Sequence, residues 1–163
     1  MNTPNLLDAI RVVKENERIA METYANAARR KEYEVCEELF KQLSEFEKFH
    51  YERLTALEKS LEEESDFINY EGKEFILPPK LEVKFAKEAD QISLMGIISE
   101  AIKMERQAEK AYADLAAQLT DPRGHEMFSR LSEEEHNHWR ILGEAFWSLN
   151  QTGIWKGPRP EFG

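Results

Sequence analysis

Cysteine occurs once, at Cys36, in a chain of 163 residues. No intramolecular disulfide can form, and neither a Cys-x-x-Cys metal knuckle nor a dithiol redox pair can be built. Cys36 is expected to be a small packing residue. Glycine and proline are scarce, with 7 and 6 copies, most of which lie in the middle and at the end of the chain. Long stretches are thus free of helix breakers. Basic residues are outnumbered, with 22 Lys and Arg against 32 Asp and Glu, a formal net charge of −10. That deficit argues against a nucleic-acid partner, because binding phosphates needs clustered cations. No uncharged apolar run is long enough to span a membrane. No secretory signal is visible at Met1-Asn2-Thr3-Pro4, which runs straight into a patterned segment holding Asp8 and Lys14. A reducing, cytoplasmic location is expected.

The chain is rich in helical periodicity. Its length suits one domain with its own core. Thr3-Pro4 reads as a helix start, with Thr3 as the N-cap and Pro4 at the first helical position. Leu6, Ile10, Val13, Glu17, Ala20, Tyr24 and Ala27 then step by three and four along one face. Arg29-Arg30-Lys31 suits a helix C-terminus, where cations meet the negative end of the dipole. A turn follows between Arg29 and Glu34. The second helix carries Val35, Leu39, Leu43, Phe46, Glu47, His50, Leu54, Leu57 and Leu61. The pattern breaks over about 62–89, where Asn69-Tyr70-Glu71-Gly72 reads as a turn and Leu77-Pro78-Pro79 cannot be helix interior. In a bundle, a crossover of this length lets the second and third helices run parallel. Phe67, Ile68, Phe75, Ile76 and Leu77 predict that it packs on its own bundle or on a neighbouring subunit.

The third helix is expected to start near Asp90, with Leu94, Ile98, Ala101, Glu105, Ala108, Tyr112, Leu115 and Leu119 as its stripe. Thr120-Asp121-Pro122 ends it and caps a fourth, which carries Phe128, Leu131, Glu135, His138, Leu142 and Leu149, with Phe146 close to the same stripe. Residues 1–150 thus form a bundle. Residues 151–163, with Gly153, Gly157, Pro158 and Pro160, form an irregular tail that Trp155 and Phe162 could dock.

The polar residues inside the stripes repeat. Glu47 and His50 return as Glu135 and His138, an offset of 138 − 50 = 88 residues. Glu17 and Tyr24 return as Glu105 and Tyr112, and 105 − 17 is again 88. The chain is a duplicated helix pair, and the fold class is an all-α four-helix bundle. In Glu-x-x-His the two side chains share a helix face and can reach one point. A solvated face does not account for these residues, whose stripe neighbours are Leu, Ile, Phe and Ala. A salt-bridge network lacks cations, since Arg18 and Arg106 follow the lone glutamates by one residue and point off the face. Two divalent metal ions would neutralise four carboxylates, and two neutral imidazoles would complete the set. The metal candidates are therefore Glu17, Glu47, His50, Glu105, Glu135 and His138. An oxygen-rich set with some imidazole suits two iron ions per chain, with manganese as the alternative. Without metal, some of these carboxylates should hold protons. His125 and His136 are expected at the surface.

With both Leu-Ser-Glu-x-Glu-x-x-His blocks, Leu43 to His50 and Leu131 to His138, the chain resembles the rubrerythrin branch of the ferritin-like di-iron carboxylate proteins. The likeness covers all four predicted helices. It implies that Glu17 and His50 are terminal ligands of one metal, that Glu105 and His138 serve the other, and that Glu47 and Glu135 bridge them. It also implies that Tyr24 and Tyr112 hydrogen-bond to ligand carboxylates; the plainer reading makes them core aromatics with satisfied hydroxyls. Two features depart from the family. Rubrerythrins proper carry a rubredoxin domain with two Cys-x-x-Cys pairs, which a chain with one cysteine cannot hold. They also place an extra glutamate one turn after the third-helix ligand, where this chain has Ala108. Glu109 is adjacent but turned about 100° away. The function implied is reduction of hydrogen peroxide or oxygen at a di-iron centre, with an external electron donor such as a rubredoxin-like protein. Ferroxidase or iron-handling activity is one alternative, and a non-enzymatic bundle with a structural dimetal site is another. A homodimer is expected, as the commonest assembly.

Overall fold

The computed structural model describes residues 2–73, 81–82 and 88–155. Four long helices account for most of them: α1 (Thr3–Arg29), α2 (Glu37–Glu63), α3 (Glu88–Gln118) and α4 (Pro122–Thr152). The all-α four-helix bundle is what the sequence predicts. Two local expectations shift. The N-cap of α1 is Asn2, not Thr3, and its side-chain oxygen accepts from the Asn5 amide at 3.0 Å. The third helix begins two residues before Asp90, at Glu88. Between α1 and α2, Arg30 adopts an extended conformation and a 3-10 helix, Lys31–Cys36, completes the turn without glycine. Asp121 caps α4 as expected, accepting from the Arg123 and Gly124 amides. Gly153 ends α4 at φ 73°, where a side chain would be strained.

The contacts between helices fix their directions. Arg11 on α1 meets Glu58 and Glu62 on α2, while the Ser44 hydroxyl donates to the Met21 carbonyl, so these helices are antiparallel. The α1 and α3 helices are antiparallel as well, because Tyr24 reaches Glu105 and Tyr112 reaches Glu17. It follows that α2 and α3 run parallel, which only a long connection allows.

Two apolar clusters form the core. One gathers Tyr24, Phe40, Leu43, Ile98, Leu142 and their neighbours; the other gathers Ile10, Leu54, Leu57, Tyr112, Phe128 and Leu131. The buried glutamates and histidines lie between them. Cys36 is fully buried in the first cluster, and burial pushes its thiol up to about 12, so it packs and does not react. The stripe residues of α1 and α3 are buried with a matched pair of exceptions, Ala20 and Ala108, each half-buried. Leu119, at the end of the α3 stripe, is half-buried as well.

The connection packs on its own bundle. Phe67 and Ile68 lie against the second cluster, and Tyr70 is buried in it. Arg123 at the start of α4 pairs with Asp66 and donates to the Phe67 carbonyl at 3.1 Å. Farther on, β1 (Leu81–Glu82) pairs antiparallel with β2 (Ile154–Trp155), with Leu81 opposite Trp155. The segment after α4 is thus tied to the connection by backbone pairing. Phe75, Ile76, Leu77 and Phe162 lie outside the described residues.

Gly124 sits in α4 directly under Phe67. A Cβ there would meet Phe67 Cε1 at 2.5 Å. Gly to Ala inside a helix ordinarily stabilises by roughly 0.5–1 kcal/mol. Here the clash must push Phe67 off the bundle, and overpacking costs about 1–3 kcal/mol. Gly124→Ala should therefore lower the urea midpoint; a raised midpoint would contradict the seating of Phe67.

Candidate metal centre

All six stripe residues converge at the bundle centre, each at most 2% exposed. Each lone glutamate comes from α1 or α3, and each Glu-x-x-His pair from α2 or α4, because three residues make nearly one helical turn. His50 Nδ1 lies 3.5 Å from Glu17 Oε1, 3.4 Å from Glu47 Oε2 and 2.9 Å from Glu135 Oε1. His138 Nδ1 lies 3.4 Å from Glu47 Oε1, 3.5 Å from Glu105 Oε2 and 3.8 Å from Glu135 Oε2. Glu17, Glu47, His50 and Glu135 offer ligand atoms that all lie within 4.8 Å of one another. So do Glu47, Glu105, Glu135 and His138. The two groups share Glu47 and Glu135.

The donor set fits metal. Glu17 Oε2, Glu47 Oε1, Glu105 Oε2 and Glu135 Oε1 are buried and accept no hydrogen bond. Among the described residues, no lysine or arginine pairs with these four carboxylates. Buried charge without a partner costs several kcal/mol per ion. The short approach of His50 Nδ1 to Glu135 lacks hydrogen-bond direction, and that nitrogen too has no hydrogen-bond partner.

Comparison with known proteins agrees with this geometry. The family model described as Rubrerythrin matches residues 1–58 and 96–160. This chain belongs to the rubrerythrin family. The match takes in both Glu-x-x-His pairs and both lone glutamates. It omits the end of α2, the connection and the start of α3. Searches of curated proteins and of solved structures find no match.

Around the rubrerythrin-type cluster the duplication is visible in three dimensions. The Tyr24 hydroxyl donates to Glu105 Oε1 at 2.6 Å, and the Tyr112 hydroxyl donates to Glu17 Oε1. Ser44 and Ser132, also 88 apart, each donate to a carbonyl of the preceding helix at 3.0 Å. Tyr24 stacks on Phe40, as Tyr112 does on Phe128.

The symmetry breaks at residues that sequence reasoning passed over. His50 Nε2 lies 3.1 Å from Glu134 Oε2. Glu134 also accepts from the Tyr70 hydroxyl and from the Lys73 amide, both on the connection. A carboxylate on Nε2 makes that nitrogen a donor and fixes the ring with Nδ1 facing the buried glutamates. The counterpart of Glu134 in the first copy is Phe46, whose ring stands edge-on to His138 at 4.5 Å. The mismatch between Phe46 and Glu134 was the available signal. Elsewhere, Arg18 pairs with Glu15 and Glu22, off the site as expected. His125 is exposed, and His136 is partly exposed and bonded to Glu109, which also accepts from Trp139. Glu109 thus faces away from the centre.

A cavity of about 190 Å³ opens between α1 and α3. Glu17, Glu47, Glu105 and Glu135 lie at its floor, and Ala20 and Ala108 lie on facing walls.

Burial, and then the neighbouring Glu47 carboxylate, push the Glu17 carboxyl up to about 8. Burial alone would push His138 down; Glu105 and Glu47 outweigh it and take the imidazole up to about 9. The folded, metal-free protein therefore holds a Glu17 proton that the unfolded chain releases above 4.5. It also holds a His138 proton that the unfolded chain releases above 6.5. Both effects have the same sign. The stability of the metal-free protein should fall as pH rises from about 5 to about 9. Denaturation midpoints across that range check this, and a flat or rising profile would contradict it.

Proposed function

We propose that the chain is a di-iron oxidoreductase that reduces peroxide and holds two iron ions. The observation that carries this reading is the sharing of Glu47 and Glu135 between two buried groups, each completed by its own glutamate and histidine. Glu17 and His50 would hold one metal, Glu105 and His138 the other, and Glu47 and Glu135 would bridge. Such a centre supplies two electrons, one from each ferrous ion, so an O–O bond can be cleaved without releasing a radical.

The chain's own residues set the conditions. Tyr24 and Tyr112 hold Glu105 and Glu17 in orientation. Burial and the nearby carboxylates push both hydroxyls well above their usual range, so they stay donors. The two apolar clusters close the site above and below, and the α1–α3 cavity is the route by which a small oxidant reaches the carboxylate floor. An external one-electron donor, such as a rubredoxin-like protein, would restore the ferrous state. A homodimer in the cytoplasm belongs to the same proposal. Ala108, which leaves the centre with six ligand residues, favours iron handling as the second reading.

The test is anaerobic. Load ferrous iron, count metal per chain, then add hydrogen peroxide and oxygen separately and follow the absorbance of the ferric product. Two irons per chain and faster oxidation by peroxide are expected. Faster oxidation by oxygen, with uptake beyond two irons, would move the reading to iron handling. Glu47→Ala with Glu135→Ala should abolish binding of both metals, and normal binding by that variant would overturn the ligand assignment.

A further inference from the structure

The cavity between α1 and α3 is far larger than hydrogen peroxide needs. About 10–15 Å³ on the same measure admits one water molecule, so a peroxide needs roughly twice that. The cavity measures about 190 Å³. An apolar cavity of about 150 Å³ already takes a benzene-sized molecule. The walls match such a guest, since Val13, Ile19, Ala20, Met104, Ala108 and Ala111 line it. Polar groups are concentrated at the carboxylate floor, with Asn16 and Gln107 also on the lining. The cavity exists because the stripes of α1 and α3 place alanine at Ala20 and Ala108, 88 residues apart. A longer side chain at either position would fill it. Water against such walls is poorly held, and an apolar group gains by displacing it.

We propose that this cavity binds the organic part of an alkyl or aryl hydroperoxide, with a compact apolar group of benzene size or slightly larger by the volume comparison above. The apolar group sits between Ala20 and Ala108, and the O–O group points to the carboxylate floor. The reaction is ROOH + 2e⁻ + 2H⁺ → ROH + H₂O. The O–O bond breaks, the oxygen on carbon leaves as the alcohol and the terminal oxygen as water. Both protons come from solvent at the cavity mouth. The two electrons come from the ferrous pair and are replaced by the one-electron carrier protein, so the chemical step rests on the proposed function. Binding in the cavity does not.

The experiment has two arms. In the first, 2-phenyl-2-propanol, the alcohol product of cumene hydroperoxide, is titrated by NMR into metal-free and zinc-loaded protein, neither of which can turn over. Saturable binding is expected, and Ala108→Phe should weaken it at least about tenfold, the scale of one lost apolar group. No binding, or equal binding by Ala108→Phe, overturns the cavity proposal whatever the redox result. In the second arm, ferrous-loaded protein is oxidised by cumene hydroperoxide and by hydrogen peroxide. A higher second-order rate constant of iron oxidation is expected for the organic peroxide, and Ala20→Leu and Ala108→Phe should each lower the ratio of the two constants, with metal content counted in every variant. A ratio that those substitutions leave unchanged overturns the substrate class. If neither peroxide oxidises the iron, the proposed function fails, and the first arm still decides the cavity.

Discussion

Four carboxylates buried between two apolar clusters are the constraint on which the rest of this structure depends. Each ionised glutamate would cost several kcal/mol if left unpaired in such a place, and the helices bring no lysine or arginine to them. Among the described residues no fixed cation pairs with them, and protons or metal cations are left to balance the layer. The metal-free fold takes the first solution in part, with Glu17 and His138 both holding protons more tightly than usual. Two divalent cations would be the full solution. The same layer divides the core, so that Tyr24 belongs to one cluster and Tyr112 to the other while each hydroxyl reaches across to a glutamate of the facing helix.

Duplication makes this centre nearly symmetric, and the departures from symmetry are where it acquires character. Glu134 stands where the first copy has Phe46, so His50 meets a carboxylate on its outer nitrogen while the Phe46 ring stands edge-on to His138. That carboxylate is held from above by Tyr70 and Lys73, so the long connection between α2 and α3 takes part in shaping the site. The two buried ligand groups are thus given unlike surroundings. The retained symmetry at Ala20 and Ala108 has the opposite consequence, because small residues at matched positions of α1 and α3 leave a cavity beside the carboxylates.

The helices and the six converging residues were legible because their signals are periodic and doubled. A glutamate inside a stripe of Leu, Ile and Ala contradicts the pattern once by accident, but four times at one offset it marks a site. Helix ends were less legible. Asn2 and Thr3 are both good caps, and only the backbone decides between them. The turn after Arg29 carries no glycine or proline, so nothing local announced a 3-10 helix. Glu134 was hidden by its own neighbours, since one acidic residue in Glu133-Glu134-Glu135 looks like another until Tyr70 and His50 are brought to it across the fold. The short pairing of Leu81–Glu82 with Ile154–Trp155 joins segments far apart in sequence, and no pattern in either foretells it.

The most direct test of the central claim is anomalous diffraction at the iron edge from crystals grown with ferrous iron under anaerobic conditions. Two strong peaks per chain are expected inside the bundle, one beside His50 and Glu17 and one beside His138 and Glu105, with Glu47 and Glu135 touching both. A single peak, or peaks only at the protein surface, would contradict the account.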